Sequence, residues 1–289
     1  MKDLLYNDHR LEGKTDIKKM QLISLHLLSV LQKVCKEQGM KCWLAYGNML
    51  GAIRNGQFIP WDDDVDVYMM LKDVRRLARV ADSVFPKDVI WQDPWRFPRL
   101  ATTFFARLRD AYSTVLEDCG ACPRRTTDPL GVPLDIFMLR PVRGRWGLEF
   151  LQRVRGPLEW RYRIGRETGP ITVISLFRVW LRGCVYAIVD AVYHLRLLLP
   201  MGRRYYIQEN VSAVGTKFIY PAEWFEDERE IKFEDEKVLI PSDIDGYCKM
   251  VFGKDYMTPR NTKGKYSNVL FLPTTSGPYK HSLKYPIMD

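Results

Sequence analysis

The chain has 289 residues, 46% of them hydrophobic and 27% charged, with a formal net charge of +9. That length suits one large domain or two modest ones, and six cysteines are too few for a disulfide scaffold. The first twenty residues are charged and lack an apolar core segment, which predicts no secretory signal and a reducing, cytoplasmic setting. In chain order, Ile17, Met20, Ile23, Leu27, Leu31 and Val34 recur at helical spacing, so residues 16–38 read as a helix that Thr15 or Asp16 caps and Gly39 ends. Cys42 to Tyr46 reads as a short strand, Gly47 turns into a short helix through Arg54, and Gly56 and Pro60 mark a loop. A strand over 64–70, a helix over 72–84 and strands over 103–109 and 132–138 follow. This order predicts an α/β (α+β) sheet backed by helices.

The charge is unevenly spread. Residues 140–204 hold thirteen Arg, no Lys and four acids (Glu149, Glu159, Glu167 and Asp190), which accounts for the whole excess. Such a block predicts an anionic neighbour. Within it, residues 171–199 are the longest apolar region, but Arg178, Arg182, Asp190 and Arg196 make it a poor spanning helix. On a helix, Ser175, Arg178, Arg182, Tyr186, Asp190, His194 and Arg196 share one side of roughly 160° and the other side is apolar. Two arrangements fit: a helix lying in a membrane interface, or one packed on the protein core with a solvated basic stripe. Overlap of the Arg block with an apolar helix favours lipid over nucleic acid.

The run Trp61-Asp62-Asp63-Asp64-Val65-Asp66-Val67-Tyr68 packs four carboxylates into five positions and then becomes an apolar strand. Residues two apart on a strand face the same way, so Asp64 and Asp66 aim together. Like charges held that close repel unless a cation lies between them. A hard divalent ion with oxygen ligands points to phosphate chemistry. An EF-hand needs Gly and Glu where this chain has Val67 and Asp73, so the run is not a calcium loop of that kind.

Two further pieces belong with it. Gly47-Asn48 lies between a strand and a helix start, where backbone approaches closely and N–H groups face an anion. Asp135, in Pro133-Leu134-Asp135-Ile136-Phe137, would bring a third carboxylate to the same site if its strand lies beside the first. Arg54 is placed to contact phosphate, and Arg107 and Arg109 share a strand face and offer the same contact. Cys119-Gly120-Ala121-Cys122 is half of a zinc motif without a second pair. His9, His26, His194 and His281 show no ligand spacing, and neither a Walker loop nor Gly-x-Ser-x-Gly occurs.

The stretch from Tyr46-Gly47-Asn48-Met49-Leu50-Gly51-Ala52-Ile53-Arg54 through Gly56-Gln57-Phe58-Ile59-Pro60-Trp61-Asp62-Asp63-Asp64-Val65-Asp66 strongly resembles the LicD signature, G-T-L-L-G-A-x-R-x-x-G-F-I-P-W-D-D-D-x-D. Leu134-Asp135-Ile136-Phe137 resembles the family's second acidic strand. Phe233-Glu234, Ile240-Pro241 and Phe252-Gly253-Lys254-Asp255-Tyr256-Met257 resemble its tail motifs.

The resemblance implies a nucleotidyltransferase-like mixed sheet related to DNA polymerase β. It also implies transfer of phosphocholine, or in fukutin-type relatives of alditol phosphates, from CDP-linked donors to sugars of surface glycans or lipopolysaccharide, with release of CMP. On this basis Asp64, Asp66 and Asp135 are expected to hold Mg²⁺ (or Mn²⁺), with Asp135 as ligand or base. Gly47, Asn48 and Arg54 are expected at the donor phosphate, and Asp62, Asp63, Arg107 and Arg109 at phosphate or substrate. Asn48 stands where the family usually has Thr.

The domain expectation is a catalytic core over 1–140, an Arg-rich helical insertion over 141–204 and a C-terminal part, 205–289, completing the same domain. The expected partners are a CDP-linked donor, a sugar or glycolipid acceptor and an anionic membrane surface contacting 171–199 from the cytoplasmic side. Two other classes fit the residues: an Asp-x-Asp glycosyltransferase using a nucleotide sugar, and a non-catalytic membrane-surface binding protein.

Overall fold

A computed structural model describes residues 13–96, 105–117, 131–151, 173–199, 202–209, 218–259 and 269–273. Helix α1 (Asp16–Glu37) begins where the Thr15 hydroxyl accepts the Lys18 N–H at 3.2 Å. It ends ahead of Gly39, whose φ of +63° suits glycine. Met20, Ile23, Leu27, Leu31 and Val34 are all buried, as their spacing predicts.

Strand β1 (Cys42–Leu44) is shorter than predicted because Tyr46 already belongs to α2 (Tyr46–Asn55), which puts Gly47 inside the helix's first turn. Then come β2 (Val65–Met70), α3 (Leu71–Val84), β3 (Val89–Gln92), β4 (Ala106–Asp110), β5 (Ser113–Glu117) and β6 (Pro133–Arg143). The long helix α4 (Val173–Leu198) is followed by β7 (Arg204–Gln208), β8 (Ile219–Pro221), α5 (Glu223–Glu226), β9 (Arg229–Phe233), β10 (Glu236–Ile240), α6 (Ile244–Phe252) and β11 (Val269–Pro273). Strand β6 runs five residues past the predicted end at 138, because its second half pairs with β7 from Leu139 to Arg143.

The main sheet has the order β3-β4-β6-β2-β1-β10-β9, with β7 beside β6 and β8 beside β7. Pairs β2–β6 and β1–β10 are parallel and the other pairs in this sheet are antiparallel. Strands β5 and β11 form a separate antiparallel pair. The molecule is thus a mixed α/β fold with a helix-backed sheet. Phe225, Phe233, Val238 and Tyr247 from the C-terminal part share one core with Leu27, Val67 and Ile136.

Helix α4 covers a smaller core made by Val142, Leu148, Val189, Tyr193, Ile207 and Ile219. Its expected solvated polar stripe is not what the described half of the helix shows. Asp190 pairs with buried Arg140 on β6, which also meets buried Glu209. The Arg196 Nε donates to the Arg143 carbonyl at 3.1 Å. Polar groups therefore fasten α4 to the sheet, and the apolar side faces outward. The side chains of Ser175, Arg178, Arg182 and Tyr186 lie outside the described residues. No helix among the described residues is long and apolar enough to cross a membrane.

Gly51 marks the tightest approach of α2 to the loop that carries the acids. A Cβ there would lie 2.4 Å from the Gln57 carbonyl oxygen and 3.0 Å from the Ile59 nitrogen. Because those neighbours are backbone, Gly51→Ala is expected to cost about 1–3 kcal/mol, read as a lowered urea midpoint; an unchanged midpoint would contradict the close approach.

Candidate active site

The acidic run lies where the loop after α2 enters β2. Gln21 on α1 pins this loop from below, its amide donating to the Asp62 carbonyl at 2.8 Å and the Ile59 carbonyl at 3.3 Å. Asn48, with no exposed surface, holds it from the side. The Asn48 Nδ2 donates to the Asp64 carbonyl at 2.8 Å and to the Asp62 Oδ2 at 3.4 Å, and its Oδ1 accepts the Asp66 N–H at 2.6 Å. The Asn48 amide is therefore engaged by the loop itself. A Cβ on Gly47 would sit 2.7 Å from the Asp62 Oδ2, so the missing side chain makes room for that carboxylate.

Carboxylate oxygens of Asp62, Asp63 and Asp64 lie within 4.8 Å of one another. Asp66 is in register with Asp135 on parallel β6, and Asp135 with Arg107 on β4. Residues in register share a sheet face, so Asp66, Asp135 and Arg107 form a row across three strands. Arg107 holds both oxygens of Asp135, at 2.6 and 3.0 Å. Arg109 is buried and turned to other work, donating to the Gln92 Oε1 at 2.9 Å and the Gly131 carbonyl at 2.7 Å.

Burial raises the Asp64 and Asp66 carboxyls well above the usual carboxylate range, and neighbouring acids raise them further. Asp62 is pushed up to about 7, by burial first and by Asp63 second. A site that strains its own acids in this way is chemically suited to a cation, and its all-oxygen donor set suits a hard one.

These acids open onto a cleft of about 470 Å³ lined by Gly47, Leu50, Arg54 and Trp61 on one side and by Val251, Phe252, Tyr256 and Thr258 on the other. The Arg54 guanidinium donates to the Tyr256 carbonyl and, at 3.2 Å, to the Thr258 carbonyl, clipping the segment after α6 to α2. Glu234 ties a second C-terminal piece to the same loop, accepting the Phe58 N–H at 3.1 Å. The weak tail motifs are the only sequence signal for this wall.

A buried tyrosine group behind the cleft carries no such signal. Tyr46 sits in the left-handed region, with φ of +42°, immediately before Gly47. Its N–H donates to the Tyr247 hydroxyl at 3.1 Å, and that hydroxyl donates to the Tyr68 hydroxyl at 3.2 Å. Cys119, Cys122 and His281 lie outside the described residues, and His26 is paired with Asp88 at 3.2 Å, away from the cleft.

A LicD/FKTN/FKRP nucleotidyltransferase domain model matches residues 39–115, which spans β1 to β5 and includes the acidic run. This part of the chain is similar to the LicD family's nucleotidyltransferase domain. It is 37% identical over 67 residues to the lipopolysaccharide cholinephosphotransferase LicD of Haemophilus influenzae, which is 23% of this chain and 25% of that protein. It is 38% identical over 64 residues to the human ribitol 5-phosphate transferase FKRP, 20% of this chain and 13% of that protein. A third match is to mannosyltransferase regulator 4 of Saccharomyces cerevisiae, 32% identical over 68 residues, 24% of this chain and 5% of that protein. The chain thus matches a quarter or less of each of these relatives.

Two predictions follow from this geometry. A carboxyl whose native pKa is raised holds a proton that the unfolded chain releases, so stability falls as pH rises between the two values. For Asp62 that window runs from 3.8 to about 7. Without divalent ions the melting temperature should therefore fall across it, and Mg²⁺ should raise it more at about pH 8 than at about pH 5; a pH-independent Mg²⁺ effect would contradict the charge strain. Tyr247→Phe leaves the Tyr46 N–H without its acceptor and should cost about 1–3 kcal/mol, measurable by urea unfolding.

Proposed function

We propose that this protein is a metal-dependent phosphotransferase that moves a substituted phosphate, phosphocholine foremost, from a CDP-linked donor to a sugar hydroxyl of a surface glycan or lipopolysaccharide, releasing CMP. The observation that carries this reading is that Asp62, Asp63, Asp64 and Asp66 line one cleft, with Asp135 in register beside Asp66 on the neighbouring parallel strand. In our reading residues 1–140 and 205–289 form one catalytic unit, 141–204 is an insertion, and the reaction takes place on the cytoplasmic side.

Asp64 and Asp66, with Asp62 and Asp63 beside them, would hold Mg²⁺ (or Mn²⁺). A bound divalent ion supplies charge neutralisation and alignment of the phosphoryl group. The chain's own residues supply the rest. Gly47 leaves room for the Asp62 carboxylate beside the first turn of α2, and in our reading the donor phosphates lie along that turn, where the Gly47 and Asn48 N–H groups have no partner within the helix. Phe252 and Tyr256 on one side of the cleft and Trp61 on the other give it aromatic rings on which a nucleobase can stack. Arg54 holds the Tyr256 side in place.

Arg107 orients Asp135, which retains lone pairs able to accept the acceptor hydroxyl's proton. The acceptor oxygen then bonds to the distal phosphorus, the bridging P–O bond breaks, and its electron pair leaves with CMP.

Incubation with Mg²⁺ and a panel of CDP-linked compounds tests the proposal. Asp64→Asn and Asp66→Asn should each lower CMP release by about 10²–10³-fold. Near wild-type turnover in both would end the assignment, and a glycosidic product without a phosphodiester would identify an Asp-x-Asp glycosyltransferase instead.

A further inference from the structure

Helix α4 presents an outward face built from Phe177, Trp180, Leu181, Ile188, Leu195 and Leu198, each between 48% and 79% exposed. On the opposite face Val189 and Tyr193 are buried, while Asp190 and Arg196 bond to the sheet. An amphipathic helix normally turns its apolar side to the core, so this one is mounted in reverse. Its polar contacts with β6 and the turn after it fix that orientation, and rotation would break the Arg140–Asp190 pair. We infer that this face of α4 docks the protein on the surface of an anionic lipid bilayer, with the helix lying in the interface.

Three observations favour lipid over a second copy of the chain. Phe177, Leu181, Cys184, Ile188, Ala191, Leu195 and Leu198 alternate four and three apart, the spacing of a coiled-coil seam. A coiled coil, however, sets charged residues beside the seam. Here the flanks are Trp180, Ala187 and His194 on one side and Arg178, Val185, Val192 and Leu199 on the other, five of the seven apolar. The result is a broad apolar face rather than a narrow seam.

Trp146 is 91% exposed, and its carbonyl accepts from Arg196. This places an aromatic side chain at the C-terminal end of the same helix, as at membrane interfaces. Finally, the segment containing α4 carries the whole net positive charge of the chain, thirteen Arg against four acids. Basic charge near a membrane attracts anionic headgroups. Since no described helix is long and apolar enough to span, the mode is adsorption. The inference stands apart from the catalytic reading, because lipid binding requires neither donor nor metal.

Co-sedimentation with vesicles of phosphatidylcholine alone, or mixed with phosphatidylglycerol, tests the inference. The double variant Trp180→Glu, Ile188→Glu is compared with the wild-type chain, and circular dichroism and sedimentation velocity verify fold and mass. The expected result is a monomer that binds the anionic vesicles with a blue-shifted tryptophan emission, and at least tenfold weaker binding by the folded double variant. Absence of binding, equal binding to both vesicle types or by the double variant, or a wild-type dimer that the double variant dissociates would overturn it. Should the double variant not fold, Leu195→Gln and Leu198→Gln, tested singly, are expected to weaken binding severalfold, and unchanged binding by both would overturn it.

Discussion

The side-chain amide of Asn48 joins the first turn of α2 to the backbone on both sides of Val65. By donating to the Asp64 carbonyl and accepting from the Asp66 N–H, it fixes the phase of β2 where the strand begins. Val65 and Val67 then point into the core, and Asp64 and Asp66 point out of it. A slip of one residue would exchange the two sets. The hydroxyl usual at this position in the family signature is shorter, and an amide presents separate donor and acceptor atoms to the two backbone groups. Because these bonds are neutral, they position the acids without compensating their charge.

Legibility in the sequence followed the range of the interactions involved. Helix α1, strand β2 and helix α3 stand within a residue or two of the limits that their own periodicity implies, since each buries one continuous stripe. The pairing of β2 with β6 was also readable, because Asp66 and Asp135 each sit in a short apolar run. The start of α2 was not: Tyr46 adopts a left-handed conformation for the sake of Tyr247, about two hundred residues away. Arg107 and Arg109 look equivalent on one strand face. Only the register of β4 with β6 separates them: Asp135 lies opposite the first, whereas the second lies opposite Pro133 and reaches diagonally to Gln92.

The same limit applies to the orientation of α4. Hydrophobic periodicity reveals that a helix has two sides but not which side meets the protein. Buried Arg140 and Glu209, on β6 and just past β7, provide the charged seat that accepts Asp190. Seen from α4 alone, Asp190 is one acid in an apolar helix. The C-terminal wall of the cleft has a similar logic: Arg54 resembles a phosphate ligand until Tyr256 and Thr258 supply carbonyls for it.

Electrostatics connect the fold to the chemistry. Arg107 lowers the carboxyls of Asp64 and Asp66, but neighbouring acids raise them, and burial raises them more. Arg107 also has both its contacts with Asp135 committed, and Arg54 faces backbone carbonyls. The described cleft is therefore dominated by carboxylates with little cationic charge aimed at its mouth. A pyrophosphate-bearing donor is itself anionic and would be repelled by such a surface at close range. Two outcomes are physically consistent: the cleft rejects phosphates, or it takes up a divalent cation that inverts the sign of its field before or together with the donor. On the proposed reading the cleft takes the second course, and its aromatic side chains then face a nucleobase.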